Sequence, residues 1–298
     1  MSLTLLLLFG ILFALLAFIG SYFNLSGYML VLMAFLLVFF QWYTGPAIIR
    51  LTTRMRMLKK NEYPWLWEMV KRLSKKSNVP MPRLAIVETS SPNAFVFGRT
   101  SKDATLAITK GLIQTLNKDE LEAVVAHEFG HIKHKDMIVM TIVGAIPILA
   151  YFIARSLLFT PTDERRGGNT LLFAGIAFMV YVISNLLVLA LSRLREYYSD
   201  YFSATVTRPS SLINALVKIV YGLAQRRMEN VGIRSFYIAD PLTAPSELSV
   251  VQRISSSEIE RVVQREKKNV FMKLMEIFQT HPLTYKRIEA LRKLEKGV

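Results

Sequence analysis

His127, Glu128 and His131 fall within His127-Glu128-Phe129-Gly130-His131, in a chain of 298 residues with four histidines and no cysteine. Histidines four residues apart stand on one face of a helix, so both imidazoles can reach one metal ion. The glutamate beside the first is placed to act as general base toward a metal-activated water. That is the chemistry of a metallopeptidase. A catalytic zinc takes three protein ligands and keeps one position open for water. Without cysteine, which also excludes disulfides and thiolate ligands, the third ligand must be His, Asp or Glu. His134 is nearest in sequence, but it lies about 10 Å further along an unbroken helix axis, too far for one ion. Its other reading is a solvated side chain.

The elements that must position these groups are set by a segregated composition. Hydrophobic residues make up 52% of the chain, yet its formal net charge is +15. Four apolar runs, residues 3–23, 27–43, 138–159 and 171–191, are near the roughly 20 residues that cross a bilayer. No basic residue precedes the first run, and no small-residue cleavage site follows it, so it reads as a retained span rather than a signal peptide. Two polar segments, 44–137 and 192–298, hold all but Arg155, Arg165 and Arg166 of the 37 Lys and Arg residues. Positive-inside logic then puts both segments in the cytoplasm of a multi-pass cell-membrane protein. The basic balance fits flanks that face anionic lipid. It lacks the aromatic interleaving of a nucleic-acid surface.

Neither polar segment looks like a complete domain; together, at about 200 residues, they are enough for one core. Pro64 opens a helix with Leu66, Met69, Val70 and Leu73 at helical spacing. Residues 84–89, 94–98 and 104–109 read as strands. Asn117 with Glu120 resembles a capping box, so a helix starts there and carries the two histidines. Downstream, the fourth span continues as helix to about residue 207. Further helices are expected over 212–228, 258–278 and 283–296, with a loop over 229–248. The expected fold is mainly α with a small β-sheet. Four transmembrane helices (1–43 and 138–191) accompany a cytoplasmic α+β zincin-like domain built from 44–137 and 192–298.

This topology nominates the third ligand. His131 lies seven residues before the third apolar run and Glu196 five residues after the fourth. If these runs form a hairpin, both groups emerge side by side, roughly 7–10 Å beyond the apolar core. Glu196 and Asp200 share a helical face. Glu196 is thus a candidate ligand, and Asp200 a carboxylate that orients a ligand histidine. Asp136 has two readings, orienting the histidine helix or capping the membrane junction.

Several segments occur together and in order: Pro92-Asn93-Ala94-Phe95-x-x-Gly98, Lys110-Gly111-Leu112, His127-Glu128-x-x-His131 with Asp136, Ser192-Arg193-x-Arg195-Glu196-x-x-x-Asp200, and His281-Pro282 before Arg287-Ile288. With them the chain resembles the HtpX family of membrane zinc metallopeptidases, gluzincins related to the CAAX prenyl proteases, over nearly its whole length. Four spans rather than seven favour the HtpX branch. The chain departs from the family at Val96-Phe97, Ser199 and His134. The resemblance implies one Zn2+ per chain on His127, His131 and Glu196, with Glu128 as base. It points to His281 as donor to the oxyanion, with Arg193, Arg195 and Arg287 more readily ion-pair partners. It also suggests that Asn93, Ala94 and Phe95 belong to an edge strand that takes an extended substrate. The expected activity is endopeptidase cleavage of unfolded or damaged membrane proteins. The alternatives are a narrow processing peptidase and a non-catalytic metal-stabilised scaffold, against which Glu128 argues.

Overall fold

The computed structural model describes residues 27–159, 167–225, 237–239, 241, 243–248 and 276–296. The apolar run 3–23, residues 258–275 of the helix expected over 258–278, and half of the expected loop 229–248 lie outside them. The chain is mainly helical with a small mixed sheet. Two compact units divide it, one of Met1–Gly45 with Val139–Val188 and one of Pro46–Ile138 with Leu189–Val298.

The second unit holds a sheet in the order β1-β2-β4-β3, with β1 Arg56–Met57, β2 Arg83–Val87, β3 Ala94–Phe97 and β4 Thr105–Thr109. β2 and β4 run parallel; the outer pairs are antiparallel. Side chains alternate between faces. Leu84, Ile86, Val96, Leu106 and Ile108 enter the main core. Ala85, Val87, Phe95, Phe97 and Ala107 form a second cluster against Ile49 and Met55. β1 was not expected from the sequence. It is two exposed residues in a basic stretch, and it exists only through its pairing with β2.

In chain order the helices begin with α1 Gly27–Thr53, α2 Pro64–Ser77, α3 Lys110–Thr115 and α4 Lys118–Lys133. The expected capping box is present: Asn117 Oδ1 accepts the Glu120 N–H, and Glu120 Oε2 accepts the Asn117 N–H, both at 2.9 Å. α4 is buried along most of its length. It ends at His134, and Lys135 takes the left-handed conformation, φ 58°. That turn separates α4 from α5, Asp136–Phe159. Then follow α6 Gly167–Val206, α7 Pro209–Ala224 and α8 Thr284–Glu295, with a short helical turn at 244–248. α6 is one unbroken helix of 40 residues, about 60 Å long.

Two helices among the described residues are long and apolar enough to cross a membrane, Asp136–Arg155 and Leu171–Val206. Within the first unit, large apolar side chains such as Phe35, Phe39, Leu171, Phe173 and Phe178 are exposed.

α4 and α6 meet at Gly130. A Cβ there would stand 2.8 Å from Ser199 Cα and 3.0 Å from Ser199 Cβ, so no larger residue fits at this approach. Farther along, Ser203 Oγ donates to the Ala123 carbonyl at 2.6 Å, closing the same contact. Gly130→Ala is expected to destabilise the fold by about 1–3 kcal/mol through overpacking, read as a lowered thermal unfolding midpoint. An unchanged midpoint would contradict the close approach.

Candidate metal centre

The α4–α6 contact brings together most of the expected residues, all within the second unit. His127 and Glu128 are buried, and with His131 they form a cluster whose ligand atoms lie within 4.8 Å of one another. From α6, Glu196 faces both histidines: its Oε2 is 3.6 Å from His127 Nε2 and its Oε1 is 3.5 Å from His131 Nε2. The two ring nitrogens that face this carboxylate are thus both Nε2.

The opposite ring nitrogens meet carboxylates. His127 Nδ1 is 2.9 Å from Asp200 Oδ1, and His131 Nδ1 is 2.6 Å from Asp136 Oδ2. A carboxylate on Nδ1 fixes the proton there and leaves the Nε2 lone pair for a metal. Each carboxylate is held in turn. Arg287 Nε and Nη2 grip both oxygens of Asp200 at 2.8 and 2.7 Å, while Arg195 Nη2 is 2.6 Å from Asp136 Oδ2. Arg287 Nη1 also donates to the Ile238 carbonyl at 2.6 Å. Asp136 thus stands against the His131 ring, in the place its orienting reading requires.

The donor set suits a divalent cation. Glu128, Asp136, Glu196 and Asp200 are all buried, and four carboxylates against the guanidinium groups of Arg195 and Arg287 leave two negative charges over. The short guanidinium contacts go to Asp136 and Asp200, while Glu196 is faced by imidazoles and by Arg287 at 3.4 Å. Among the described residues, Glu196 Oε2 accepts no hydrogen bond, although His127, His281 Nδ1 at 3.3 Å and Arg287 Nη1 at 3.4 Å surround it. Two imidazoles and a carboxylate make a nitrogen–oxygen set of the kind zinc accepts. Burial raises the Glu128 carboxyl above the ordinary range, against the opposing pull of His131 and His127. A backbone hydrogen bond from Val96 on β3 also reaches that carboxyl. On protein charges alone, burial lowers the His127 imidazole, but Asp200 and Glu196 outweigh it and raise it to about 9.

The sheet brings β3 to the site. Asn93 anchors the strand: its carbonyl accepts the Thr109 N–H at 2.9 Å, and its Oδ1 accepts the Ile238 N–H at 3.1 Å. Antiparallel alternation then turns the backbone groups of Ala94 and Val96 away from β4, toward the outer edge. Phe95 packs in the second cluster. His134 stays outside the centre; it is exposed, edge-on to Tyr198 and Phe202. Ser199, seen in the sequence only as a departure, sits 3.0 Å from His131 Nδ1. Val96 is a further contact that sequence reasoning did not find, because its contribution is a backbone N–H.

Comparison with known proteins gives a consistent picture. A family model described as Peptidase family M48 matches residues 60–295. A protein named Protease HtpX homolog from Methanothermobacter thermautotrophicus is 40% identical, the alignment covering 75% of this chain and 86% of that protein. Protease HtpX homolog 2 from Methanosarcina mazei is 33% identical, over 99% of this chain and 94% of the relative. Among solved structures, Ste24p of S. mikatae aligns over 97% of this chain with a TM-score of 0.60 at 16% identity, a likeness of fold. The chain spans 64% of the length of that structure.

A divalent cation must displace the proton on His127. Since that imidazole holds its proton up to about pH 9, metal affinity should rise with pH to about 9 and then level. Binding at neutral pH should release about one proton per site, measured from the buffer dependence of the calorimetric heat. No proton release would contradict the electrostatics described here.

Proposed function

The chain belongs to peptidase family M48 and is a metallopeptidase of the HtpX kind; from that premise we propose that His127, His131 and Glu196 hold zinc, that Glu128 is the general base, and that the enzyme cleaves misfolded or damaged membrane proteins. The observation that carries this reading is the approach of both Nε2 atoms to the two oxygens of one carboxylate, 3.6 and 3.5 Å, with Glu128 in the same cluster. When bound, zinc supplies Lewis acidity toward a water molecule and toward the scissile carbonyl. Glu128 takes the water proton as the oxygen attacks the carbonyl carbon. It returns that proton to the amine nitrogen as the C–N bond breaks. His281, 3.3 Å from Glu196, donates to the oxygen on which negative charge develops.

An extended substrate adds to the outer edge of β3, pairing with the backbone of Ala94 and the Val96 carbonyl, while the Val96 N–H meets Glu128 and Asn93 and Phe95 hold the strand in place. Backbone pairing makes little demand on sequence, as a quality-control peptidase requires. The two long apolar helices and the exposed apolar side chains of the first unit support a membrane protein. The proposed protein spans the cell membrane four times, with the second unit in the cytoplasm.

Purified full-length protein in detergent with zinc is expected to cleave casein, used here as an unfolded chain, and a chelator should stop it. Glu128→Gln should lower the rate at least about a hundredfold while the zinc content stays at the wild-type level. A Glu128→Gln protein that cleaves at the wild-type rate would remove the general-base role.

A further inference from the structure

Arg193, Glu196 and Asp200 occupy positions i, i+3 and i+7 of α6, one stripe facing the centre. Glu196 faces the histidines, and Asp200 takes His127 and Arg287. Arg193 does neither. Its Nη1 donates to three backbone carbonyls, those of Glu276, Ile277 and Gln279, at 2.9, 3.1 and 2.8 Å. The first two of these carbonyls belong to a helical turn at residues 276–278, and the third follows it. A helix end leaves its last carbonyls without intrahelical donors, and a cation there is favourable.

Two residues beyond Gln279 stands His281, buried, with Nδ1 3.3 Å from Glu196 Oε2. On its far side the chain is fixed again. The Thr284 N–H that opens α8 donates to Glu247 Oε2 at 2.6 Å, and Arg287 grips Asp200. Upstream, Arg193 ties this segment to α6 itself. The same helix face therefore carries the carboxylate beside His281 and the clamp on its backbone.

We infer that Arg193 is a positioning residue: it sets the register of the 276–281 segment so that His281 is presented to the centre. This rests on the reading of His281 as the donor to the developing oxyanion. Arg193 approaches none of the metal-facing atoms, so its loss leaves His127, His131 and Glu196 in place.

The experiment measures kcat, KM and zinc content for full-length protein with casein as the probe, in R193Q, R193K, H281A and the R193Q/H281A double variant. H281A is expected to lose about a hundredfold in kcat. R193Q is expected to lose about tenfold or more in kcat through misplacement, with KM and zinc content unchanged. R193K, whose ammonium can still meet carbonyls, should recover most of that loss. The double variant should be no slower than H281A alone, because Arg193 has nothing left to position. Wild-type kcat in R193Q beside a slow H281A would overturn the role of Arg193 and leave that of His281 standing. Wild-type kcat in H281A would overturn both. Additive losses in the double variant, or loss of zinc in R193Q, would show Arg193 acting elsewhere and would also overturn the inference. If R193Q does not accumulate as folded protein, R193K carries the same comparison: any loss it shows must vanish in the H281A background.

Discussion

Everything in this site depends on burying four carboxylates against one short helix contact. A charge removed from water is tolerated only when it is paired and hydrogen-bonded. Asp200 and Asp136 meet that condition through Arg287 and Arg195. Among the described residues Glu128 has no guanidinium partner and Glu196 meets Arg287 only at 3.4 Å, and both stand where the two Nε2 atoms converge. The excess of carboxylates over guanidinium groups is therefore local to the histidine pair. A divalent cation would neutralise it; on protein charges alone, burial lowers the His127 imidazole but Asp200 and Glu196 outweigh it, and burial raises the Glu128 carboxyl.

The backbone makes that arrangement possible. Gly130 lets α6 come against α4 at the middle of the histidine pair, so that one turn of each helix faces the other. The left-handed Lys135 ends α4 directly after the pair, and Asp136 is thereby returned to the free nitrogen of His131. α8 contributes at a distance in sequence, through one arginine whose side chain is almost wholly buried. Histidine spacing, carboxylate spacing and the placement of Arg287 are each local matters. The centre needs all three in contact.

What could be read from the sequence follows the same division. His127, Glu128 and His131 were legible because four-residue spacing has one meaning on a helix. Glu196 was legible because it and His131 flank two apolar runs of matched length. The capping box of Asn117 and Glu120 and three of the four strands followed from local pattern. β1 did not, since its two residues carry no strand signal apart from β2. Arg193 was expected to find a carboxylate and instead binds carbonyls, which no side-chain pattern announces. Asn93 was expected to contact substrate. Its backbone and side chain are engaged with Thr109 and Ile238, which makes it the anchor of the strand.

The central claim is that two imidazoles and the Glu196 carboxylate converge on one zinc ion. Zinc-edge X-ray absorption on the purified full-length protein tests it most directly. The account predicts one zinc per chain, with a first shell of nitrogen and oxygen at roughly 2.0–2.2 Å and the multiple-scattering signature of two imidazoles. Replacing Glu196 by alanine should strip the metal at low zinc. A third imidazole in the shell, or full zinc retention without Glu196, would contradict it.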